Sequence, residues 1–271
     1  MPTAPLWHDH DRPDPSGGPS DRHHRPVSAR RTVVTLGVVL VLAVAAAMLL
    51  ARTGHRAAAP HQGFGDRIAH GAGGDGQIRP SRYPWVGDGM FTVAGGQTPA
   101  RGVGGPVARY RVAVEQGTGQ DPAAFAAAVD VVLADPRSWI GTGELRVQRI
   151  AEAESADFTI YLATPHTSEA MCAEGGLTTD GYTSCRLPGQ VIINLARWLE
   201  AVPDYAAPLE VYRAYVINHE VGHEIGEGHE ACPGPGDLAP VMQQQTYGLD
   251  GCLPNAWPIL AGRRYAGELI G

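Results

Sequence analysis

The chain is 271 residues long and carries 21 basic against 28 acidic residues, a formal net charge of −7 with its 11 histidines neutral. All the basic residues are arginine, and from Ala57 onward 14 of them face 24 acidic residues. So acidic a stretch argues against nucleic acid or an anionic surface as its partner.

Residues 1–31 are rich in Pro, Asp, His and Arg and show no periodicity, as expected of a disordered cytoplasmic tail. Thr32 to Ala51 is a run of twenty uncharged, mostly apolar residues. As a helix it extends about 30 Å, the thickness of a hydrocarbon core. Arg25, Arg30 and Arg31 precede it, and Arg52 and Arg56 follow. With Arg12 and Arg22 added, the basic side is expected to stay in the cytoplasm. The expectation is a single-pass membrane anchor at 32–51, with everything beyond it extracytoplasmic. A cleaved signal peptide using Ala57-Ala58-Ala59 is the alternative, and would release a secreted protein. Residues 52–82 read as a flexible linker, which leaves 83–271 for one folded domain.

Within that domain Val107, Arg109, Arg111 and Glu115 alternate with Ala108, Tyr110, Val112 and Val114, a strand pattern. Asp121 is placed as an N-cap with Pro122 at the first helical position, and Ala123–Leu133 continues as helix until Asp135-Pro136. Further strands are expected at 144–150, 157–163 and 190–195. From Leu209, the residues Val211, Tyr212, Tyr215, Val216, Val221 and Ile225 recur at helical spacing and predict a buried helix. Trp198 and Trp257 are assigned to the core.

That helix carries the most informative string in the chain, His219-Glu220-Val221-Gly222-His223-Glu224-Ile225-Gly226-Glu227-Gly228-His229. It fits H-E-x-x-H-x-x-G-x-x-H at every fixed position. Residues four apart on a helix are separated by about 400° of rotation, so His219 and His223 share a face and can ligate one metal ion. Glu220 lies about 100° from the first histidine. There it can act as general base rather than ligand. His229, ten residues on, would lie about 280° away were the helix to continue, so the chain must reverse. Gly226 is the residue able to do so, and Gly228 adds freedom before the third histidine. A charged surface helix would account for a bare H-E-x-x-H, but gives no reason for the glycine and third histidine. Three neutral imidazoles leave one tetrahedral position open, the catalytic arrangement of Zn²⁺.

Ala239-Pro240-Val241-Met242-Gln243 looks like a Met-turn, so the chain resembles a metzincin-type zinc metallopeptidase. Asn218-His219-Glu220, Cys232-Pro233, Pro240 to Thr246, and Cys252 with Pro254 to Pro258 are similar to the actinobacterial DUF3152 family. The resemblance implies a metzincin-like α/β (α+β) domain with a small twisted mixed sheet, an active-site helix and a Met-turn. Met242 would then support the site from below; read plainly, it is a core methionine. Only twelve residues separate His229 from Met242, a short connection for such enzymes. Glu230 stands where astacin-like enzymes also carry glutamate. Gln244 stands where some of them place a metal-reaching tyrosine, and the nearest tyrosine, Tyr247, reads as packing. The edge strand that pairs with substrate in related folds is not placed by the pattern; Met171 to Arg186 is expected to flank the cleft.

Four cysteines, all in the exported part, allow three pairings, and sequence proximity favours Cys172–Cys185 with Cys232–Cys252. The resulting expectation is a membrane-anchored, zinc-dependent endopeptidase acting on a peptide or protein substrate. Two alternatives stay open: a zinc-containing cell-surface binding domain without activity, and a hydrolase of cell-wall peptides.

Overall fold

In the computed structural model, which describes residues 82–270, one mixed sheet carries the domain. The segments expected as a cytoplasmic tail (1–31) and a membrane anchor (32–51), and nearly all of the expected linker, lie outside those residues. Among the described residues no helix is long and apolar enough to cross a membrane.

The sheet is built from β1 (Phe91–Val93), β2 (Val107–Glu115), β3 (Arg146–Arg149), β4 (Phe158–Ala163), β5 (Cys185–Leu187) and β6 (Gln190–Asn194). Its order is β1-β2-β4-β6-β5, with β3 beside the first half of β2. The central strands β2, β4 and β6 run parallel, and β1 and β5 are antiparallel at the two sides. Both faces are covered, so β4 and β6 read as nearly continuous apolar runs rather than alternating ones.

Alternation still decides which residue faces which layer. Ile160, Leu162, Val191 and Ile193 belong to the larger core, together with Phe125, Val129 and Leu133 of α1 (Pro122–Leu133). Ala163, Cys185, Leu187 and Ile192 meet Cys172 of α2 (Pro165–Glu174) in a smaller cluster. Asp121 caps α1 by accepting the Ala123 N–H at 3.1 Å, with Pro122 in the first turn as its spacing predicts. Asn194 ends β6 and caps α3 (Leu195–Glu200) by accepting the Ala196 N–H at 2.9 Å. The longest helix, α4 (Leu209–Glu224), starts where the periodicity places it and buries Tyr212, Tyr215, Val216 and Val221. A hairpin of β7 (Ile259–Leu260) and β8 (Arg263–Arg264) follows near the C-terminus.

The two proximity pairings are present as Cys172–Cys185, joining α2 to β5, and Cys232–Cys252, closing a loop around Met242. Trp198 is buried edge-on against Phe125, and Trp257 is partly buried beneath the Arg137 guanidinium. Glu115 sits on the polar side of the alternation yet is buried, accepting hydrogen bonds from Gly89 N–H, Thr164 N–H and the Thr167 hydroxyl at 2.9, 2.7 and 2.6 Å. Three donors satisfy a carboxylate that periodicity alone would send to solvent.

Candidate metal centre

The end of α4 decides where the histidines go. Its last helical residue is Glu224, and Gly226 follows at φ 103°. The Glu227 N–H reaches back to the Gly222 carbonyl at 2.9 Å and the Gly226 N–H to the His223 carbonyl at 3.2 Å. This pair of bonds is a Schellman cap, and it needs a left-handed residue at Gly226. A Cβ there would meet nothing within 4 Å, so the constraint is conformational rather than steric. Gly226→Ala is therefore expected to cost about 1–2 kcal/mol, read from the midpoint of chemical denaturation. Gly228 behaves differently from expectation. Its backbone is outside the left-handed region, and an added Cβ would make only ordinary contact with Leu269.

The reversal returns His229 to the other two rings. His223 Nε2 lies 3.2 Å from His219 Nε2 and 3.1 Å from His229 Nε2. The three residues form the one cluster among the described residues whose ligand atoms could hold a metal ion, all within 4.8 Å. His219 Nδ1 is 2.8 Å from the Val241 carbonyl, and His223 Nδ1 is 2.9 Å from the Glu227 carbonyl. A carbonyl only accepts, so Nδ1 carries the proton in both rings and Nε2 presents a lone pair. Two lone pairs 3.2 Å apart cannot hydrogen-bond to each other, whereas a cation between them satisfies both. Tetrahedral Zn²⁺ with bonds of about 2.0–2.1 Å separates its nitrogen ligands by roughly 3.4 Å. The donor set therefore fits zinc in both chemistry and spacing.

The rings are also kept neutral. Burial, and then the proximity of His223, bring His219 down to about 3. Burial likewise lowers His223 and His229. Glu220 is buried, and burial pushes its pKa up to about 8.

The turn behind the rings is tied down from several sides. Gln243 N–H closes it onto the Pro240 carbonyl at 3.0 Å, placing Met242 in full burial. A Cβ on Gly222 would lie 2.4 Å from Met242 Sδ and 2.7 Å from Trp139 Cζ2, so the thioether and indole press against the helix between the two histidines. Trp139 Nε1 donates to the Asn218 carbonyl at 2.8 Å. The hydroxyls of Tyr205 and Tyr215 donate to Gln245 Oε1 and the Gln243 carbonyl at 2.9 and 3.1 Å. Gln245 in turn donates to the carbonyls of Pro240 and Asn255.

Around this centre lies a cleft of about 550 Å³, to which His219, Glu220, His223 and His229 contribute. Thr183 to Arg186, leading into and along the outer strand β5, line it as well, together with Gln244, Thr246 and Tyr247. Arg186 meets Glu224 at 2.5 Å, fastening β5 to the end of α4. Tyr247 is 60 % exposed and faces Tyr182 at 6.2 Å, so it is a cleft residue rather than packing. Glu230 is buried, and its carboxylate meets Arg264 at 2.6 Å. Sequence reasoning missed Gly222, Trp139 and Arg264. Gly222 had a signal, being a glycine inside a helix whose neighbours are ligand candidates; the other two had none.

Fold and site together define an α+β domain that gathers three histidines from a helix end and its returning loop onto one cleft. The chain belongs to the family described as "Protein of unknown function (DUF3152)", which matches residues 79–256. No curated protein and no solved structure matches it.

Proposed function

We propose that this protein is a membrane-anchored, extracytoplasmic zinc endopeptidase of metzincin-like architecture. The observation that carries the reading is the convergence of three Nε2 atoms, two of them fixed as lone-pair donors by carbonyls at Nδ1. His219, His223 and His229 would hold the ion. Zinc bound there supplies a Lewis acid for the scissile carbonyl and the attacking water.

Glu220 takes the proton from that water and returns it to the leaving amine. Its carboxylate has no hydrogen-bond partner among the described residues, which leaves it available. Glu220 beside a cation is held ionised, against the burial that otherwise raises it. Met242 and the turn around it keep the histidine helix in place. The outer strand β5 offers its edge to an extended peptide, which can add as a further strand without any particular side chain.

The run of twenty uncharged, mostly apolar residues at 32–51 supports the membrane placement, and the two disulfides suit an oxidising compartment. Purified protein is expected to contain one equivalent of zinc by elemental analysis. It is also expected to cleave members of a peptide library, with loss on chelation and recovery on zinc addition. Stoichiometric zinc without cleavage of peptides or cell-wall material would instead assign a binding domain. Absence of metal from folded protein would remove the proposal.

A further inference from the structure

We infer that Arg264 is a positioning residue for His229, clamping the third-histidine loop from the C-terminal end of the chain; this rests on the zinc-site reading above. His219 and His223 each have Nδ1 held by a carbonyl, but the His229 ring has no such partner among the described residues. Its direction is therefore set by its backbone, and the backbone is held by the tail. The Ile270 N–H donates to the His229 carbonyl at 3.0 Å, and the Ala231 N–H to the Glu268 carbonyl at 2.8 Å. Gly267 permits that approach, since a Cβ there would lie 2.2 Å from the Ala231 carbonyl oxygen.

Arg264 closes the arrangement. One guanidinium nitrogen reaches Glu230 at 2.6 Å and Glu227 at 3.2 Å, so it grips the loop on both sides of His229. The guanidinium carbon lies 5.0 Å from the centre of the Trp139 ring, the same indole that presses on α4 at Gly222. The clamp thus links the loop bearing the third histidine to the helix bearing the first two. Arg264 itself lies beyond residue 256, where the family match ends, whereas its partners Glu227, Glu230 and Trp139 lie within the match.

The test is Zn²⁺ affinity of the full chain, by competition with a chromophoric chelator, alongside the visible spectrum of the Co²⁺-loaded protein. Arg264→Gln is expected to lose tenfold or more in Zn²⁺ affinity, and its cobalt spectrum to move toward that of His229→Ala. Affinity within twofold of wild type, or a wild-type cobalt spectrum, would overturn the inference. If Arg264→Gln does not fold, Arg264→Met carries the same test, because it keeps an unbranched apolar stem and removes the charge that holds both carboxylates. The same two results then decide it. Failure of the zinc reading itself looks different: wild type and His219→Ala would be equally unable to hold zinc.

Discussion

Glu220→Gln is expected to retain zinc and to lose peptide cleavage by a factor of about 10²–10⁴, the usual contribution of a general base. The amide has nearly the same size as the carboxylate but cannot accept the proton of an attacking water. Glu220 is about a third of a turn from His219 on α4, off the face shared by the two helix histidines. The exchange therefore leaves His219, His223 and His229 as they are. Folding should not suffer, because the carboxylate has no hydrogen-bond partner to lose and its burial already disfavours charge. Initial rates on one fluorogenic peptide, with elemental zinc and a melting curve on the same preparation, decide the matter. Undiminished kcat/KM in zinc-replete Glu220→Gln would remove the mechanism while leaving the metal site intact.

Legibility in the sequence followed the length scale of each signal. The bounds of β2, the cap and first turn of α1, and the start of α4 are local patterns, and the structure reproduces them. The convergence of the histidines was readable because helical rotation fixes two of them and forces a reversal before the third. Helix α2 escaped because it buries Pro165, Thr167, Ser168 and Cys172, mostly small or polar residues that leave no apolar stripe. Strands β1 and β5 have three residues each, too few for alternation to declare itself. Glu115 is buried by donors from Gly89, Thr164 and Thr167, 26 to 52 residues away in the chain. Arg264 reaches a loop 34 residues upstream, and no spacing rule connects the two. What the sequence hid is thus mainly the support around the site, which depends on which distant segments meet.

Gly222→Ala tests that support where it is tightest. In an ordinary exposed helix interior this change stabilises by about 1 kcal/mol, through the higher helix propensity of alanine. Here the added Cβ would lie 2.4 Å from Met242 Sδ and 2.7 Å from Trp139 Cζ2, well inside contact distance. The thioether can swing aside. The indole cannot, because its Nε1 is bonded to the Asn218 carbonyl and the Arg264 guanidinium lies over its ring. Overpacking of a dense core costs about 1–3 kcal/mol, so the sign is expected to reverse and the variant to be destabilised. Any relief by moving α4 away from the turn stretches the bond between His219 Nδ1 and the Val241 carbonyl, so Zn²⁺ affinity is expected to fall as well. Met242→Ala opens space at the same contact. The double variant Gly222→Ala/Met242→Ala is therefore expected to lose less stability than the two single changes summed, by about 0.5–3 kcal/mol. A Gly222→Ala protein with a higher denaturation midpoint, or strict additivity in the double variant, would show that the methionine and indole do not brace the histidine helix.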